Sequence, residues 1–377
     1  RVQTEGLNMR VRAATVVERN GPVIVDDLDL DAPGDGHVMV RVVASGVCHS
    51  DLSAITGQIP QPLPAVLGHE AAGIVEEVGA GVTSVSEGDA VMMSFITACG
   101  RCRYCTVGKP NLCRPHWRSA RGCLVDGSFP MSKDGVQYNL MSRIGTMAER
   151  IVVMENSVIP IPAQTPLHVA ALVGCGVTTG VGAVLFTAKV EPGSAVAVIG
   201  AGGIGLNAVQ GAVLAGAGKI IAIDVRDEKL AHATEFGATH VINAAECDPV
   251  EAAIELTDGD GVDYAIEAIG NPRTVEQAFE MLAFAGTAVV IGIGSGDAKA
   301  SIPIAMLPYG ERRLVGSMYG SARMRVDMLR LLDLYEQGRL KLDELVTKTY
   351  PLEDAPEAFE DLKAGRNIRG LLQIHDS

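Results

Sequence analysis

Positive charge is scarce in this chain: 31 Lys and Arg stand against 45 Asp and Glu among 377 residues, a formal net charge of −14. Nucleic-acid binding draws on cations that displace counterions from the phosphate backbone, so no nucleic-acid partner is expected. Aromatic residues are also few, at 4%. With 43 glycines beside them, the core has to be packed with Ala, Val and Ile and the chain has to turn often, the composition of an α/β protein. Long apolar runs are missing: Gly, Pro or a charged residue breaks each one before the roughly eighteen residues that span a bilayer, so no membrane partner is expected either. Low-complexity tracts are absent. Residues 1–8 contain neither a Met nor an apolar stretch and read as a short tail ahead of a start near Met9, with no export signal.

At about 150 residues per domain, the length allows two to three domains with a sizeable core. Residues 11–153 are short β-type runs punctuated by Gly and Pro, such as the alternation Val38, Val40, Val42 and the run 71–78 before Gly79-Ala80-Gly81. From Ser194 the rhythm changes to strand then helix. Strands are expected at 195–199, 220–224, 241–242, 262–267 and 287–293, with helices opening at Gly203 and Asp227 and after the pairs Asp248-Pro249 and Asn271-Pro272. In each pair a capping side chain precedes a Pro, which suits the first helical position because the N–H it lacks would be unpaired there. Five strands alternating with helices make a parallel, doubly wound Rossmann sheet. The tail from Met324, with helical spacing at Met328, Leu329, Leu332 and Leu345 and a strand at 370–374, is expected to return to the first domain. The domains expected are 1–176, 177–319 and 320–377.

Gly200-Ala201-Gly202-Gly203-Ile204-Gly205 follows an apolar strand directly and opens a helix, the context that a dinucleotide-binding G-x-G-x-x-G requires. Gly200 permits the tight turn, Gly202 lets the backbone approach a pyrophosphate, and Gly205 lets helix and strand pack closely. Asp224 ends the next strand, 19 residues beyond Gly205. A carboxylate there accepts from the adenosine ribose hydroxyls and repels a 2′-phosphate, which favours NAD over NADP.

Eight cysteines are present, four of them crowded between 99 and 113. Cys99, Cys102, Cys105 and Cys113 form C-x₂-C-x₂-C-x₇-C, four thiolates able to close a tetrahedron around a structural zinc. The alternatives are two disulfides, disfavoured by the missing export signal, and an iron–sulfur cluster. Crowded thiols of this kind belong to a reducing compartment, so the cytoplasm is the expected location. A second, dispersed set comprises Cys48-His49-Ser50-Asp51, Gly68-His69-Glu70 and Gly174-Cys175-Gly176. Singly, each is as compatible with core packing as with ligation.

With both cysteine patterns and the glycine fingerprint in order from about Met9 to Ile374, the sequence resembles the zinc-dependent, medium-chain alcohol dehydrogenases. The resemblance implies a mostly β, GroES-like catalytic domain beside the Rossmann domain, and two zinc ions. Cys48, His69 and Cys175 would hold the catalytic zinc with the fourth position open to water or substrate; Asp51 would orient His69 and Glu70 would lie behind the metal. Cys123 and Cys247 match nothing in the pattern. His49 and Arg369 would reach the cofactor pyrophosphate, Thr179 the nicotinamide region, Asp224 and Lys229 the ribose, and Ile204 would back the nicotinamide ring.

The implied reaction interconverts a primary or secondary alcohol with its aldehyde or ketone, passing hydride to NAD, with Ser50 taking the alcohol proton. Many relatives continue the relay through a His three residues on, where this chain has Ser53. Two other branches also resemble it: the glutathione-dependent formaldehyde dehydrogenases, through the long segment between Cys113 and Met147, and dehydrogenases that keep their nicotinamide permanently bound. The former hold a charged adduct with an acid and an arginine, and the best-aligned positions here are Ile59 and Trp117. With Phe95, Ile293 and Met318 these would form an apolar wall for an apolar or aromatic alcohol. A zinc- and NAD-binding redox sensor is the non-enzymatic alternative, although a mere binder needs no open zinc position. A homodimer is expected, with strand 287–293 leading to an edge that pairs across a two-fold axis.

Overall fold

The computed structural model describes residues 9–376; the tail read before Met9 lies outside the described residues. The chain forms two compact units. One gathers Arg1–Cys175, Arg323–Leu332 and Leu342–Ser377, and the other Gly176–Ala322 and Asp333–Lys341.

Among the described residues the first unit carries a six-stranded and a seven-stranded sheet. Its longest strand, His37–Val47, is buried along nearly its whole length. Antiparallel neighbours Ala71–Val78, Arg150–Met154 and Arg369–Gln373 pair with it. Met39 and Val43 are therefore as buried as Val38, Val40 and Val42. A strand covered on both faces needs a continuous apolar run instead of alternation. The C-terminal strand Arg369–Gln373 also lies parallel to Val346–Tyr350. Behind it, Phe359 and Leu362 of helix Ala355–Ala364 pack with Val16, Ile55, Leu67 and Tyr350.

The second unit is built on six parallel strands: Ala195–Ile199 (β1), Lys219–Asp224 (β2), His240–Asn243 (β3), Val262–Glu267 (β4), Leu282–Val290 (β5) and Arg313–Gly316 (β6), in the order β3-β2-β1-β4-β5-β6. Asp248 and Asn271 cap their helices as expected. Asp248 Oδ1 accepts from the N–H groups of Val250 and Glu251 (2.8 and 3.2 Å) and Asn271 Oδ1 from that of Arg273 (2.9 Å), each cap stabilising by about 1 kcal/mol.

Three expectations change. The sheet has a sixth strand, β6, which forms its edge beside β5; it went unread because four residues with largely exposed side chains carry no periodic apolar signal. Residues 333–341 group with the second unit, since Lys341 donates its N–H to Gln210 Oε1 (2.7 Å) and accepts from Gln210 Nε2 (3.3 Å). Leu167–Ala188 forms one 22-residue helix that is long and apolar enough to cross a membrane by length and composition. Its glycines do not break it; π-type turns at Val173–Val177 and Ala183–Ala188 carry the helix onward, and 89% of its apolar window is buried, the position of a core helix.

Candidate active site

Cys48 leaves the long strand His37–Val47 and stands at the N-cap of helix His49–Thr56. His69 and Glu70 occupy the turn between the strands Ala65–Val66 and Ala71–Val78, and Cys175 sits on the π-turn Val173–Val177. These elements bring one ligand atom from each of Cys48, His69 and Cys175 within 4.8 Å of one another, all three residues being buried. Asp51 is buried beneath them. Its Oδ1 accepts from the Gly68 N–H (2.8 Å) and lies 3.3 Å from His69 Nδ1, with Oδ2 at 3.2 Å. That contact fixes the tautomer and leaves Nε2, sealed from solvent and without a hydrogen bond, as a lone-pair donor. A buried nitrogen left without a hydrogen-bond partner is costly, and a metal ion satisfies it.

Charge reinforces the geometry. A hydrogen bond from Cys175 holds the Cys48 thiol well below its ordinary pKa against the effect of burial, with help from Arg369 and His69, while the same bond pushes Cys175 up. Burial depresses His69, but Asp51 and Cys48 outweigh it and raise the imidazole. Burial pushes Glu70 up to about 7 against the pull of Arg369. Two thiols and an imidazole that compete for protons are a suitable donor set for a divalent cation.

Arg369 is buried and ion-paired with Glu70. The strand Arg369–Gln373 lies along His37–Val47, and Gly46 on that strand leaves room for the glutamate, since a Cβ there would fall 2.6 Å from Glu70 Cδ.

Cys99, Cys102, Cys105 and Cys113 also bring their sulfurs within 4.8 Å of one another. Backbone N–H groups of Cys105 and Arg114 draw Cys102 down to about 6, whereas burial and Cys102 push Cys105 up to about 12 and burial raises Cys113. N–H donors aimed at sulfur suit bound thiolates. Of the remaining cysteines, Cys123 is buried and Cys247 exposed.

In the second unit Gly200 adopts φ +95, and Gly202 has nothing within 4 Å of where a Cβ would be, leaving an open approach at the helix N-terminus. Asp224 accepts from the Ala201 N–H (2.9 Å) and lies 3.9 Å from Lys229 Nζ, so it shapes the glycine loop as well as facing it. Gly203, Ile204 and Gly205 begin the helix Gly203–Ala215, and Thr179 is buried in Thr178–Gly182. Glu267, which sequence reasoning passed over, ends β4 and braces the following turn by accepting from the N–H groups of Ile269 and Gly270 (3.0 and 2.8 Å).

Ser50 Oγ lies 3.8 Å from Cys48 Sγ, and His49 is exposed at the helix start. Phe95 stands edge-on to His69 with ring centroids 5.8 Å apart. Ile59 is half-buried in the same unit. Trp117 lies on the short helix Arg114–Arg118 just after Cys113, 42% exposed, with its indole N–H donated to the Asn111 carbonyl (3.0 Å). Ile293 and Met318 belong to the second unit.

Residues 34–163 match the alcohol dehydrogenase GroES-like domain, and residues 203–336 match the zinc-binding dehydrogenase family. The chain belongs to the zinc-dependent medium-chain alcohol dehydrogenases. Among its relatives in that family, the NDMA-dependent alcohol dehydrogenase of Amycolatopsis methanolica is 40% identical over 97% of this chain and 99% of its own length. Among solved structures, an alcohol dehydrogenase zinc-binding domain protein from Burkholderia ambifaria is 36% identical, with a TM-score of 0.93 over 98% of this chain and 100% of its own. Benzyl alcohol dehydrogenase from Acinetobacter calcoaceticus is 32% identical, with a TM-score of 0.92 over 97% and 100%. This alcohol dehydrogenase is thus an oxidoreductase built from a zinc-binding fold and a nucleotide-binding fold.

Proposed function

We propose that this alcohol dehydrogenase transfers hydride between a primary or secondary alcohol, apolar or aromatic in character, and NAD, with one catalytic and one structural zinc per chain. The observation that carries the reading is the buried, unbonded Nε2 of His69 beside the sulfurs of Cys48 and Cys175. When bound, zinc supplies the Lewis acidity that eases removal of the alcohol proton, and nicotinamide supplies the hydride acceptor.

The chain's own residues do the rest. Cys48, His69 and Cys175 hold the metal, and Asp51 keeps the His69 lone pair aimed at it. Ser50 receives the proton. Ser53 Oγ is engaged with Gln58 Oε1 at 3.3 Å, so the proton leaves through His49 or through water. Phe95, edge-on to His69, would offer an aromatic surface to the substrate. In the other unit Asp224 accepts from the ribose hydroxyls, with Lys229 beside it, while Gly202 admits the pyrophosphate. Cys99, Cys102, Cys105 and Cys113 close around the structural zinc, and the free thiols suit a cytoplasmic compartment.

The partner proposed is a second copy of the chain. The edge strand β6 and the exposed side chains of Phe284, Ile304 and Tyr309 form an apolar margin suited to a two-fold contact.

A second reading is favoured by the 40% identity to an enzyme named NDMA-dependent: the nicotinamide stays bound through turnover and electrons pass to an added acceptor. One experiment tests both. Gel-filtered protein is given a panel of alcohols with NAD, with NADP, or with NDMA alone, and its spectrum is recorded for bound nicotinamide. Turnover with NAD supports the first reading; turnover with NDMA alone and a nicotinamide spectrum supports the second. No turnover under any condition, with zinc present, refutes both.

A further inference from the structure

Between Asp89 and Asp126 the chain has no carboxylate, yet it carries six exposed cations, Arg101, Arg103, Lys109, Arg114, Arg118 and Arg121. None of them enters an ion pair among the described residues. In a chain of net charge −14 this is a local reversal of sign.

Beside that stretch lies Arg143, only 8% exposed. Its Nε donates to Ser119 Oγ (2.9 Å) and its Nη2 to the Ser119 carbonyl (3.0 Å). Its Nη1 makes no hydrogen bond, and no carboxylate pairs with the guanidinium among the described residues. Burial pushes its pKa down, Cys123 pulls against that, and the charge of Arg121 adds to the push. The backbone holds it there against conformational preference: Ser142 and Arg143 both lie in the left-handed region, at φ 49 and 67. A largely buried cation without a carboxylate partner, on a strained segment, is poised for an anion that comes from outside the chain.

Hydrogen bonds link this pair of guanidinium groups to the segments that carry Ile59 and Phe95. Arg121 donates to the carbonyl of Pro60 (3.1 Å), next to Ile59. Ser119, which holds Arg143, donates to the His116 carbonyl (2.9 Å). His116 Nδ1 in turn accepts the Thr97 N–H (3.2 Å), two residues from Phe95 and its contact with His69.

We propose that Arg143 is a specificity-determining residue that reads a carboxylate on the alcohol substrate, with the basic stretch drawing such anions in. The inference rests on the alcohol oxidation proposed above and narrows its substrate to aromatic alcohols that carry an anionic group away from the hydroxyl. The ring meets Phe95, and the carboxylate takes the open edge of a planar guanidinium.

The test compares para-hydroxymethylbenzoate with benzyl alcohol, using the cofactor or acceptor that supports turnover. The wild type is expected to favour the carboxylate by at least about tenfold in kcat/KM. In Arg143→Met that ratio falls by about 10- to 100-fold, and in Arg143→Lys, which keeps the charge and loses the fork, by less. A readout independent of turnover is the fluorescence of Trp117, the single tryptophan, whose indole lies 5.2 Å from the His116 ring. Benzoate should shift it saturably in the wild type, more weakly in Arg143→Lys, and Arg121→Ser should weaken the shift at low salt. The inference is overturned if benzyl alcohol is used as well as the carboxylate and benzoate leaves Trp117 unmoved. It is also overturned if the glutathione adduct of formaldehyde, another anion, is turned over in preference to both. If benzoate binds through Arg143 but no alcohol is oxidised, the anion site stands and the proposed reaction falls.

Discussion

Gly205 lies against the carbonyl of Gly200, so close that a Cβ on Gly205 would fall 1.7 Å from that oxygen. The carbonyl is backbone and a Cβ is fixed by the backbone it stands on, so neither can rotate away. Gly205→Ala must therefore pry the start of helix Gly203–Ala215 off β1, with an overpacking cost of about 1–3 kcal/mol and loss of nucleotide binding. Gly202→Ala meets nothing within 4 Å. It should melt like the wild type yet bind NAD more weakly, because its methyl would take the space the pyrophosphate approaches. Thermal unfolding and an NAD titration separate the two effects; normal NAD binding by Gly202→Ala would remove the pyrophosphate from this loop.

Two zinc ions per chain are expected, with separable roles. Cys48→Ser should lower activity more than about 100-fold, beyond the range usual for residues outside the ligand shell, and leave the fold intact. Asp51→Asn, which disturbs the orientation of His69, should cost about 10- to 100-fold in metal affinity or activity. Cys102→Ser should instead lower thermal stability first. Metal analysis that finds one zinc per chain in the wild type, or a Cys48→Ser enzyme with full turnover, contradicts the assignment.

The parts of the fold legible from sequence are those whose cause is local. Gly200 to Gly205 and Asp224 lie on consecutive elements, and the caps Asp248 and Asn271 act within three residues of themselves. Cys99, Cys102, Cys105 and Cys113 share one loop. What was not legible has a distant or subtle cause. Glu70 and Arg369 are 299 residues apart, and only the pairing of strand Arg369–Gln373 with His37–Val47 makes them neighbours. Strand β6 is four residues long with largely exposed side chains, so it leaves no period to read. Arg143 becomes notable only because a left-handed backbone holds its side chain where charge is normally excluded.

NAD should be preferred over NADP by more than about 100-fold in kcat/KM, since a like charge beside Asp224 costs several kcal/mol. Arg226, the nearby cation that could offset this, is ion-paired with Glu228. Asp224→Asn keeps an acceptor for the Ala201 N–H while removing the charge. That variant should narrow the preference mainly by improving NADP, and adding Glu228→Gln, which frees Arg226, should narrow it further. Equal use of both cofactors by the wild type would refute the role of Asp224.

Asp361 anchors the C-terminal helix to the neighbouring strand and makes stability depend on pH. Its Oδ2 accepts from Lys348 Nζ (2.8 Å) and the Tyr350 hydroxyl (2.5 Å), and its Oδ1 from Arg366 Nε (2.7 Å). The Lys348 bond, then those of Tyr350 and Arg366, hold the carboxyl well below its ordinary pKa. In the unfolded chain an aspartate titrates at about 3.9. The folded state thus binds this proton less readily than the unfolded one, and the stabilisation is fully present above that value. It is lost as the pH falls through the depressed native value. Lys348 is shifted the opposite way, raised first by Asp361 and then by Glu357, so its share persists up to about pH 10 and fades only above that. Asp361→Asn should therefore melt at a lower temperature than the wild type on a plateau from about pH 5 upward, and the gap should narrow, without yet closing, as both proteins are taken toward about pH 3. A gap that stays constant down to that pH would mean the carboxylate charge contributes nothing and that the side chain acts through packing alone.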